Sequence, residues 1–471
     1  MATIDWMKEV EKRKESLISD LQSLIQVPSV LNEENATEEA PLGKEVKEAL
    51  DYLLNLGSRD GFISKNVGNV AGHLEFGEGE ELLGILCHVD VVPQGDGWTM
   101  KPFGGEVKDG KIFGRGSIDD KGPTMAAYYA MKIIKELGIE VNKRVRMIIG
   151  TDEESDWRCV EHYFNEEEMP SIGFAPDADF PIIYAEKGIA DYDIIQTNWE
   201  EAASDADLEI VSFESGRRYN MVPDYAKAAI SIETSQTELI QRFEDFLGTH
   251  QLKGRYHIDN GLLILELEGI SAHGMEPDNG KNAGLYLAAF LVEHPLDNRS
   301  NPFFQFLRDS LYKDSRGKKL GLAYKDEITG DLTINVGKLS YSQEQGGRIG
   351  LNMRYPVTYN LQENKESLER KLKQKGFAIG NFSNSEPHHV PKDHPFIQTL
   401  AKVYEEQTGE KAELLSIGGG TYARSLETGV AFGALFPDRE DVAHQKDEYM
   451  YIKDLLKATA IYAQAIYELT R

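Results

Sequence analysis

The first 185 residues alternate between helical and strand-like hydrophobic patterns. Apolar residues recur at helical spacing over residues 44–56 and in a segment that starts at Lys121-Gly-Pro-Thr and closes at Gly138. Short continuous apolar runs at 82–92, 145–150 and 172–175 are typical of buried strands. This alternation predicts an α/β domain in which a mostly parallel sheet is flanked by helices.

The pattern changes at about residue 186 and changes back at about residue 387. Between them, alternating strands such as 262–267 and helical stretches such as 283–292 predict an α+β unit. Afterwards the α/β pattern returns, with helices near 396–408 and 452–469 and an apolar run at 430–436. The simplest architecture is one α/β domain built from residues 1–185 and 387–471, interrupted by an inserted α+β domain at 186–386.

Composition limits the partners of the chain. Its 471 residues carry a net charge of −28, which disfavours binding to nucleic acids and to anionic membranes. The two cysteines suggest no disulfide framework and favour a reducing compartment. The N-terminus mixes charged and apolar residues, unlike a signal peptide, and no segment is long and apolar enough to span a membrane. We therefore expect a cytoplasmic protein with no nucleic-acid or membrane partner.

Metal-binding side chains gather where the predicted strands end or a helix begins. In α/β sheets, functional groups collect at the carboxyl ends of strands. The residues in such positions are His88 and Asp90, Asp119 and Asp120, Asp152, Glu153 and Glu154, Asp177, and His444. Because residues two apart on a strand point the same way, Asp90 could orient His88 as a ligand.

Histidines and carboxylates without clustered cysteines suit zinc, manganese or cobalt. Two ions could be bound if one carboxylate bridges them, and the adjacent Glu153 and Glu154 permit one to be a ligand and the other a general base. Each motif alone also has a structural explanation, such as a helix cap, a turn or a solvated loop. Their joint occurrence favours a metallohydrolase.

Several motifs together resemble the co-catalytic metallopeptidase group, which includes aminoacylases, carnosinases and succinyl-diaminopimelate desuccinylases, and within it the PepV-type bacterial dipeptidases. The motifs run in order through nearly the whole chain: His88-Val-Asp-Val-Val-Pro, Gly114-Arg-Gly-Ser-Ile-Asp-Asp-Lys-Gly-Pro, Gly150-Thr-Asp-Glu-Glu-Ser, Phe174-Ala-Pro-Asp, Asn220-Met-Val-Pro, Ala272-His-Gly, Asn352-Met-Arg-Tyr-Pro, Ile417-Gly-Gly-Gly-Thr-Tyr and Ala443-His-Gln-Lys-Asp-Glu-Tyr.

The resemblance implies a division of roles among the ligands. His88, Asp119 and Asp177 would bind one ion. Asp119, Glu154 and His444 would bind the other, with Asp119 as the bridge. Asp90 would orient His88, and Glu153 would be the general base for a metal-activated water.

The resemblance also implies roles for the inserted domain, which would act as a lid. His273 would stabilise the oxyanion, and the substrate backbone and its terminal carboxylate would be held by Asn220, Arg354, Gly419, Gly420 and Thr421. The family often has a serine where this chain has Met275.

We therefore expect a monomeric, cytoplasmic dinuclear metallo-dipeptidase, with zinc as the first candidate ion and manganese or cobalt as alternatives. Its substrates would be short peptides, mainly dipeptides with a free amino terminus, with β-alanyl dipeptides as candidates. Two alternatives remain open. One is an amide hydrolase that acts on N-acyl amino acids, and the other is a non-catalytic, metal-dependent binding protein on the same scaffold.

Overall fold

The chain divides into two compact units in the computed structural model, which describes residues 4–197, 206, 208–232 and 236–471. The first unit spans Met1–Ala185, His389–Ser416 and Thr421–Arg471, and the second spans Glu186–His388 and Ile417–Gly420. The short glycine-rich segment Ile417–Gly420 thus belongs to the second unit, although it lies beyond residue 387 in the sequence.

Up to Glu186, the described residues form five α-helices and nine strands. The helices are α1 Trp6–Glu11, α2 Lys14–Ile25, α3 Lys44–Arg59, α4 Lys121–Glu136 and α5 Arg158–Glu166. The strands are β1 Ile63–Val67, β2 Ala71–Phe76, β3 Leu82–His88, β4 Glu106–Lys108, β5 Lys111–Phe113, β6 Arg144–Gly150, β7 Ile172–Ala175, β8 Ala178–Asp179 and β9 Ile182–Glu186.

The second unit follows, and the chain then returns to the first. The strands of this middle part are β10 Gly188–Gln196, β11 Leu208–Ser215, β12 Tyr225–Ile232, β13 Lys253–Asp259, β14 Leu262–Glu268, β15 Lys325–Asp326, β16 Gly330–Asp331, β17 Thr333–Ser342, β18 Gly346–Tyr355, β19 Phe377–Ser385 and β20 His388–His389. Its helices are α6 Gln236–His250, α7 Ala283–Leu291, α8 Asn301–Ser310 and α9 Leu361–Gln374. The final part contains α10 Pro395–Thr408, β21 Leu414–Ile417, β22 Gly429–Ala431, β23 Ala434–Leu435, β24 Tyr449–Tyr451 and α11 Ile452–Thr470.

A central sheet organises the first unit, as the sequence predicted. Its strand order is β1-β2-β6-β3-β7-β22-β9-β20, with β21 paired to β9. The neighbouring strands β6, β3, β7 and β22 run parallel to one another. Their carboxyl ends therefore lie together at one end of the sheet, where His88 ends β3 and the loops after β6 and β7 carry further predicted metal ligands.

Helix α4 is the buried helix of the first unit. Pro123 lies in its first turn, where a missing backbone N–H costs nothing, and every residue from Lys121 to Met131 is buried. Its apolar residues pack against α11 and β3. This burial fixes the start of α4, and the loop immediately before that start contains Asp119 and Asp120.

The second unit is built on an antiparallel sheet of eight strands in the order β13-β14-β12-β11-β17-β18-β10-β19. Buried and partly buried residues alternate along β10, as expected for a strand with one face on the core. The core includes apolar residues of β12 and β14 and of helices α6 to α9. Among the described residues, no helix has the length and apolar character needed to cross a membrane.

Candidate metal centre

The first unit brings the predicted ligands together at the carboxyl edge of its sheet. His88 is the last residue of β3, Glu153 and Glu154 follow β6, and Asp177 follows β7. His444 lies in the loop before β24. Two groups of ligand atoms each lie within 4.8 Å of one another: His88, Glu153 and Asp177 form one group, and Asp119, Glu154 and His444 form the other.

Asp119 connects the two groups through its two carboxylate oxygens. Its Oδ1 lies 3.2 Å from Nε2 of His88, and its Oδ2 lies 3.0 Å from Nε2 of His444. The Nε2 atom of His444 also lies 3.0 Å from Oε1 of Glu154. Each histidine therefore lies beside a different oxygen of the Asp119 carboxylate, which is the arrangement expected of a bridging ligand.

Glu153 and Asp177 stand on the His88 side. The Nε2 atom of His88 lies 3.7 Å from Oδ2 of Asp177 and 4.0 Å from Oε2 of Glu153. The adjacent Glu154 turns to the His444 side and is held by its backbone N–H, which donates to Oδ2 of Asp90 over 3.1 Å. The two glutamates thus face different histidines.

Several contacts fix the orientation of His88, whose side chain is fully buried. Its Nδ1 lies 3.0 Å from the backbone oxygen of Asp90 and 3.4 Å from the Asp90 carboxylate. The nearer partner is thus the backbone oxygen, while the Asp90 carboxylate also binds the Glu154 loop. The backbone N–H of His88 donates to Asp120, and the ring of Tyr422 packs edge-on against the imidazole at 5.9 Å between ring centroids.

The pKa values of these groups reflect a surplus of acids. Hydrogen bonds to Asp119 and Glu154 raise the pKa of His444 to about 11. Burial opposes protonation of His88, but the charge of Asp177 and contacts with further carboxylates outweigh it and raise its pKa well above the ordinary value. Burial raises the pKa of Asp177 to about 6. Burial and the charge of Asp177 also raise the pKa of Glu153 well above its usual range. The cluster therefore favours added positive charge.

The donor set fits two divalent cations. Among the described residues, the buried Nε2 atom of His88 has no hydrogen-bond partner, although carboxylate oxygens of Asp119 and Asp177 lie within 4 Å of it. A buried imidazole nitrogen that makes no hydrogen bond costs free energy, and a bound metal ion would satisfy it. Imidazole and carboxylate ligands suit zinc, manganese and cobalt.

The predicted substrate-binding residues of the second unit also approach one another. Asn220 lies between β11 and β12, and its backbone oxygen accepts a hydrogen bond of 2.6 Å from Gly274 N–H. Met221 forms an isolated β-bridge with His273. His273 is exposed, yet partial desolvation and the positive charge of Arg354 lower its pKa. Its Nδ1 accepts from the backbone N–H of Met275 over 3.2 Å.

Arg354 is buried on β18 and is held in place by hydrogen bonds. Its Nε donates to Oδ1 of Asn352 over 2.8 Å, and its Nη1 donates to the backbone oxygen of Gly418 over 3.3 Å. Asn352 in turn donates to Asp191 over 2.6 Å. Gly419 and Gly420 belong to the same loop as Gly418 in the second unit, whereas Thr421 belongs to the first unit and caps the 3₁₀ helix Tyr422–Ser425.

Sequence reasoning assigned no role to Arg115 and Glu448, although both lie inside the quoted motifs. They form a buried ion pair of 2.6 Å beside the loops of Asp119 and His444. Their positions inside the motifs could have marked them as functional candidates. Their pairing could not be predicted, because the two residues lie 333 positions apart and are brought together by the antiparallel pairing of β5 with β24.

Comparisons with known proteins agree on one family. The model described as Peptidase family M20/M25/M40 matches residues 84–468. A Bacillus subtilis (strain 168) protein with the description "Putative dipeptidase YtjP" is 53% identical over 468 residues, which cover 99% of this chain and 100% of that protein. A Staphylococcus epidermidis (strain ATCC 12228 / FDA PCI 1200) protein described as "Putative dipeptidase" is 47% identical over 464 residues, covering 98% of this chain and 99% of that protein.

Solved structures share the fold at low sequence identity. The aminoacylhistidine dipeptidase from Vibrio alginolyticus matches with a TM-score of 0.59 and 13% identity, over 97% of this chain and 96% of that one. The aminopeptidase PepT from Bacillus cereus ATCC 10987 matches with a TM-score of 0.57 and 16% identity, over 97% of this chain and 98% of that one. At these identities the likeness supports the fold.

Proposed function

The chain belongs to peptidase family M20/M25/M40 and is a peptide-bond hydrolase, and on this premise we propose that it is a dinuclear metal-dependent dipeptidase. The observation that carries the proposal is the placement of Asp119. Its two oxygens lie 3.2 and 3.0 Å from the Nε2 atoms of His88 and His444, so one carboxylate can serve two ions.

His88, Asp119 and Asp177 would hold one ion, and Asp119, Glu154 and His444 would hold the other. Zinc is the first candidate, with manganese or cobalt as alternatives. Bound ions of this kind polarise the scissile carbonyl and lower the pKa of water.

The protein's own side chains would complete the reaction. Glu153 takes a proton from the attacking water and passes it to the leaving amine. We assign this role to Glu153 because it lies on the His88 side of the cluster, whereas its neighbour Glu154 faces His444. His273 donates a hydrogen bond to the developing oxyanion. Its lowered pKa keeps it neutral near pH 7, so one ring nitrogen carries the donated proton.

Arg354 would bind the terminal carboxylate of the substrate, together with Asn220, Gly419, Gly420 and Thr421. A guanidinium can make two parallel hydrogen bonds to a carboxylate. The bonds to Asn352 and Gly418 hold the Arg354 side chain in one orientation. Dipeptides with a free amino terminus are the proposed substrates, with β-alanyl dipeptides as candidates.

The proposed setting is the cytoplasm. Both cysteines, Cys87 and Cys159, are buried and free, as expected in a reducing compartment.

Hydrolysis of matched free, N-acetylated and C-amidated dipeptides, after reconstitution with zinc or manganese, tests the proposal. We expect free dipeptides to be cleaved and the other two classes to be poor substrates. Arg354→Lys should lower kcat/KM for free dipeptides about 10-fold or more and change the amides little, because a lysine cannot reproduce the paired hydrogen bonds. Arg348→Lys, on an exposed part of the same strand, is the matched control.

Two outcomes would contradict this function. Preferential cleavage of N-acyl amino acids would identify a deacylase instead. Absence of any hydrolysis by protein that carries two ions would identify a metal-dependent binding protein.

An equal response of free and amidated dipeptides to Arg354→Lys would remove Arg354 from carboxylate binding while leaving the metal centre in place.

A further inference from the structure

A buried ion pair joins the two loops that carry Asp119 and His444. The side chain of Arg115 is 2% exposed and that of Glu448 is fully buried, and the Arg115 Nη1 atom donates to Oε2 of Glu448 over 2.6 Å. The strands β5 and β24 pair just outside the two loops and bring them side by side. The two residues therefore sit between one ligand loop and the other.

Glu448 binds the backbone next to Asp119. Its Oε1 accepts from the N–H of Ile118 over 3.0 Å and lies 3.4 Å from the N–H of Asp119. The backbone oxygen of Glu448 also accepts from Gly114 N–H over 2.9 Å. A carboxylate that belongs to the second loop thus fixes the backbone from which the bridging ligand projects.

Arg115 makes the reciprocal contacts. It belongs to the Asp119 loop, and its guanidinium donates to the backbone oxygens of His444 and Gln445, each over 3.2 Å. His444 has a φ of 61°, a left-handed conformation that is unfavourable for a residue other than glycine. The hydrogen bond to its carbonyl helps to hold this conformation and so directs the imidazole toward Asp119.

The geometry points to Arg115 and Glu448 as positioning residues for the ion held by Asp119, Glu154 and His444. Neither side chain touches that ion site; each acts through the backbone of a ligand loop. The buried pair fixes the separation of Asp119 Oδ2 and His444 Nε2 at 3.0 Å, so that the ligands are arranged before an ion binds. This inference rests on the proposed function, because it concerns the same metal centre.

Loss of the pair should mainly lower the affinity for the ion held by Asp119, Glu154 and His444. Loss of a residue that orients metal ligands typically lowers metal affinity about 10- to 100-fold. Glu448→Gln replaces one of the two acceptor oxygens by an NH₂ group, so the side chain can no longer accept from both Arg115 and the Ile118 N–H. Arg115→Lys cannot reach the same set of carbonyls. No hydrogen bond joins the pair to the side chains of His88 or Asp177, although Arg115 also donates to the backbone oxygens of Pro93 and Gln94 over 3.4 and 3.3 Å. Because Asp119 would serve both ions, the ion beside His88 should also lose affinity, but less than the ion held with His444.

The test is titration of metal-free protein with Zn²⁺ in competition with a chromophoric chelator, which resolves the two binding steps without reference to activity. We expect Glu448→Gln and Arg115→Lys to weaken one step about 10-fold or more and to weaken the other step less. His444→Ala marks which step belongs to that site. Dipeptide hydrolysis by both variants should be restored by added Zn²⁺, with kcat close to that of the parent at saturation.

The buried pair between Arg146 and Glu75 is the matched control, because it joins β6 to β2 over 2.6 Å outside the ligand loops. Glu75→Gln should lower the melting temperature without a change in either Zn²⁺ affinity. Unchanged Zn²⁺ affinities in both Glu448→Gln and Arg115→Lys would overturn the inference, and so would equal weakening of both steps. If one of these two variants fails to fold, the other decides. Failure of the parent to cleave peptides would instead refute the proposed function and leave the Zn²⁺ titration valid.

Discussion

At the scale of single residues, the adjacent Glu153 and Glu154 differ in their neighbours, and the roles proposed for them rest on this difference. Glu154 is held by the bond from its N–H to Asp90 and by the contact with His444, as suits a ligand. Glu153 lies 4.0 Å from His88 Nε2 and keeps its carboxyl available for proton transfer.

Glu153→Gln keeps the size of the side chain but removes its ability to accept a proton. We expect kcat for a dipeptide to fall about 10²- to 10⁴-fold, while the metal content per chain stays at the parent value by elemental analysis. Glu154→Gln should instead reduce the metal content. Glu161→Gln, on the exposed face of α5, serves as the control. Near-normal turnover by metal-loaded Glu153→Gln would remove this residue from the role of base.

At the scale of elements, one side chain of β17 ties together the segment that carries Asn220. The Nδ2 atom of Asn335 donates to the backbone oxygens of Tyr219 and Met221 over 2.6 and 2.9 Å. Met221 is in turn bridged to His273. Asn335 therefore supports, through the backbone, the proposed substrate-binding residue Asn220 and the segment that carries His273.

Asn335→Asp should loosen this segment, because a carboxylate cannot donate and would face two carbonyl oxygens. A buried group left without its partner costs about 1–3 kcal/mol, so we expect a lower denaturation midpoint and a KM for dipeptides that rises several-fold. Metal content should stay unchanged. Asn360→Asp is the control, since Asn360 caps α9 and aspartate caps equally well. A normal KM in a destabilised Asn335→Asp variant would limit Asn335 to a purely structural role.

At the scale of the whole molecule, charge and sheet edges bear on assembly. The net charge of −28 opposes association of identical chains. Strand β13, at one edge of the sheet in the second unit, is exposed along its whole length and carries Lys253 and Arg255. Charged residues on an edge strand discourage pairing with another chain.

The predicted monomer can be checked by sedimentation equilibrium. We expect a single species near 52.8 kDa at micromolar protein, at both low and moderate salt. Higher salt screens the net charge, so persistence of the monomer there would show that charge repulsion alone does not prevent assembly. A stable dimer at micromolar concentration would contradict the prediction, and Ile258→Lys on the exposed edge would then show whether β13 forms the interface.

The sequence by itself determined the elements and the types of ligand. The structure contains the predicted strands at 145–150 and 172–175 and the predicted helix that begins at Lys121. These elements are predictable because the hydrophobic periodicity and the signals of Pro123 and Gly138 depend only on residues close together in the sequence. His88 and Asp177 were recognisable as candidates because polar residues at the ends of buried parallel strands must meet at one edge.

Only the tertiary structure decided which groups pair. Loops that lie far apart in the chain bring Asp119 into contact with both histidines. They also turn Glu153 and Glu154 in different directions and pair Arg115 with Glu448. The same holds for Ile417–Gly420, which belongs to the second unit because Lys187 N–H donates to Ile417 and Arg354 donates to Gly418. Hydrophobic periodicity specifies which face of an element is buried, but the partner of a polar side chain is set by the packing of distant segments.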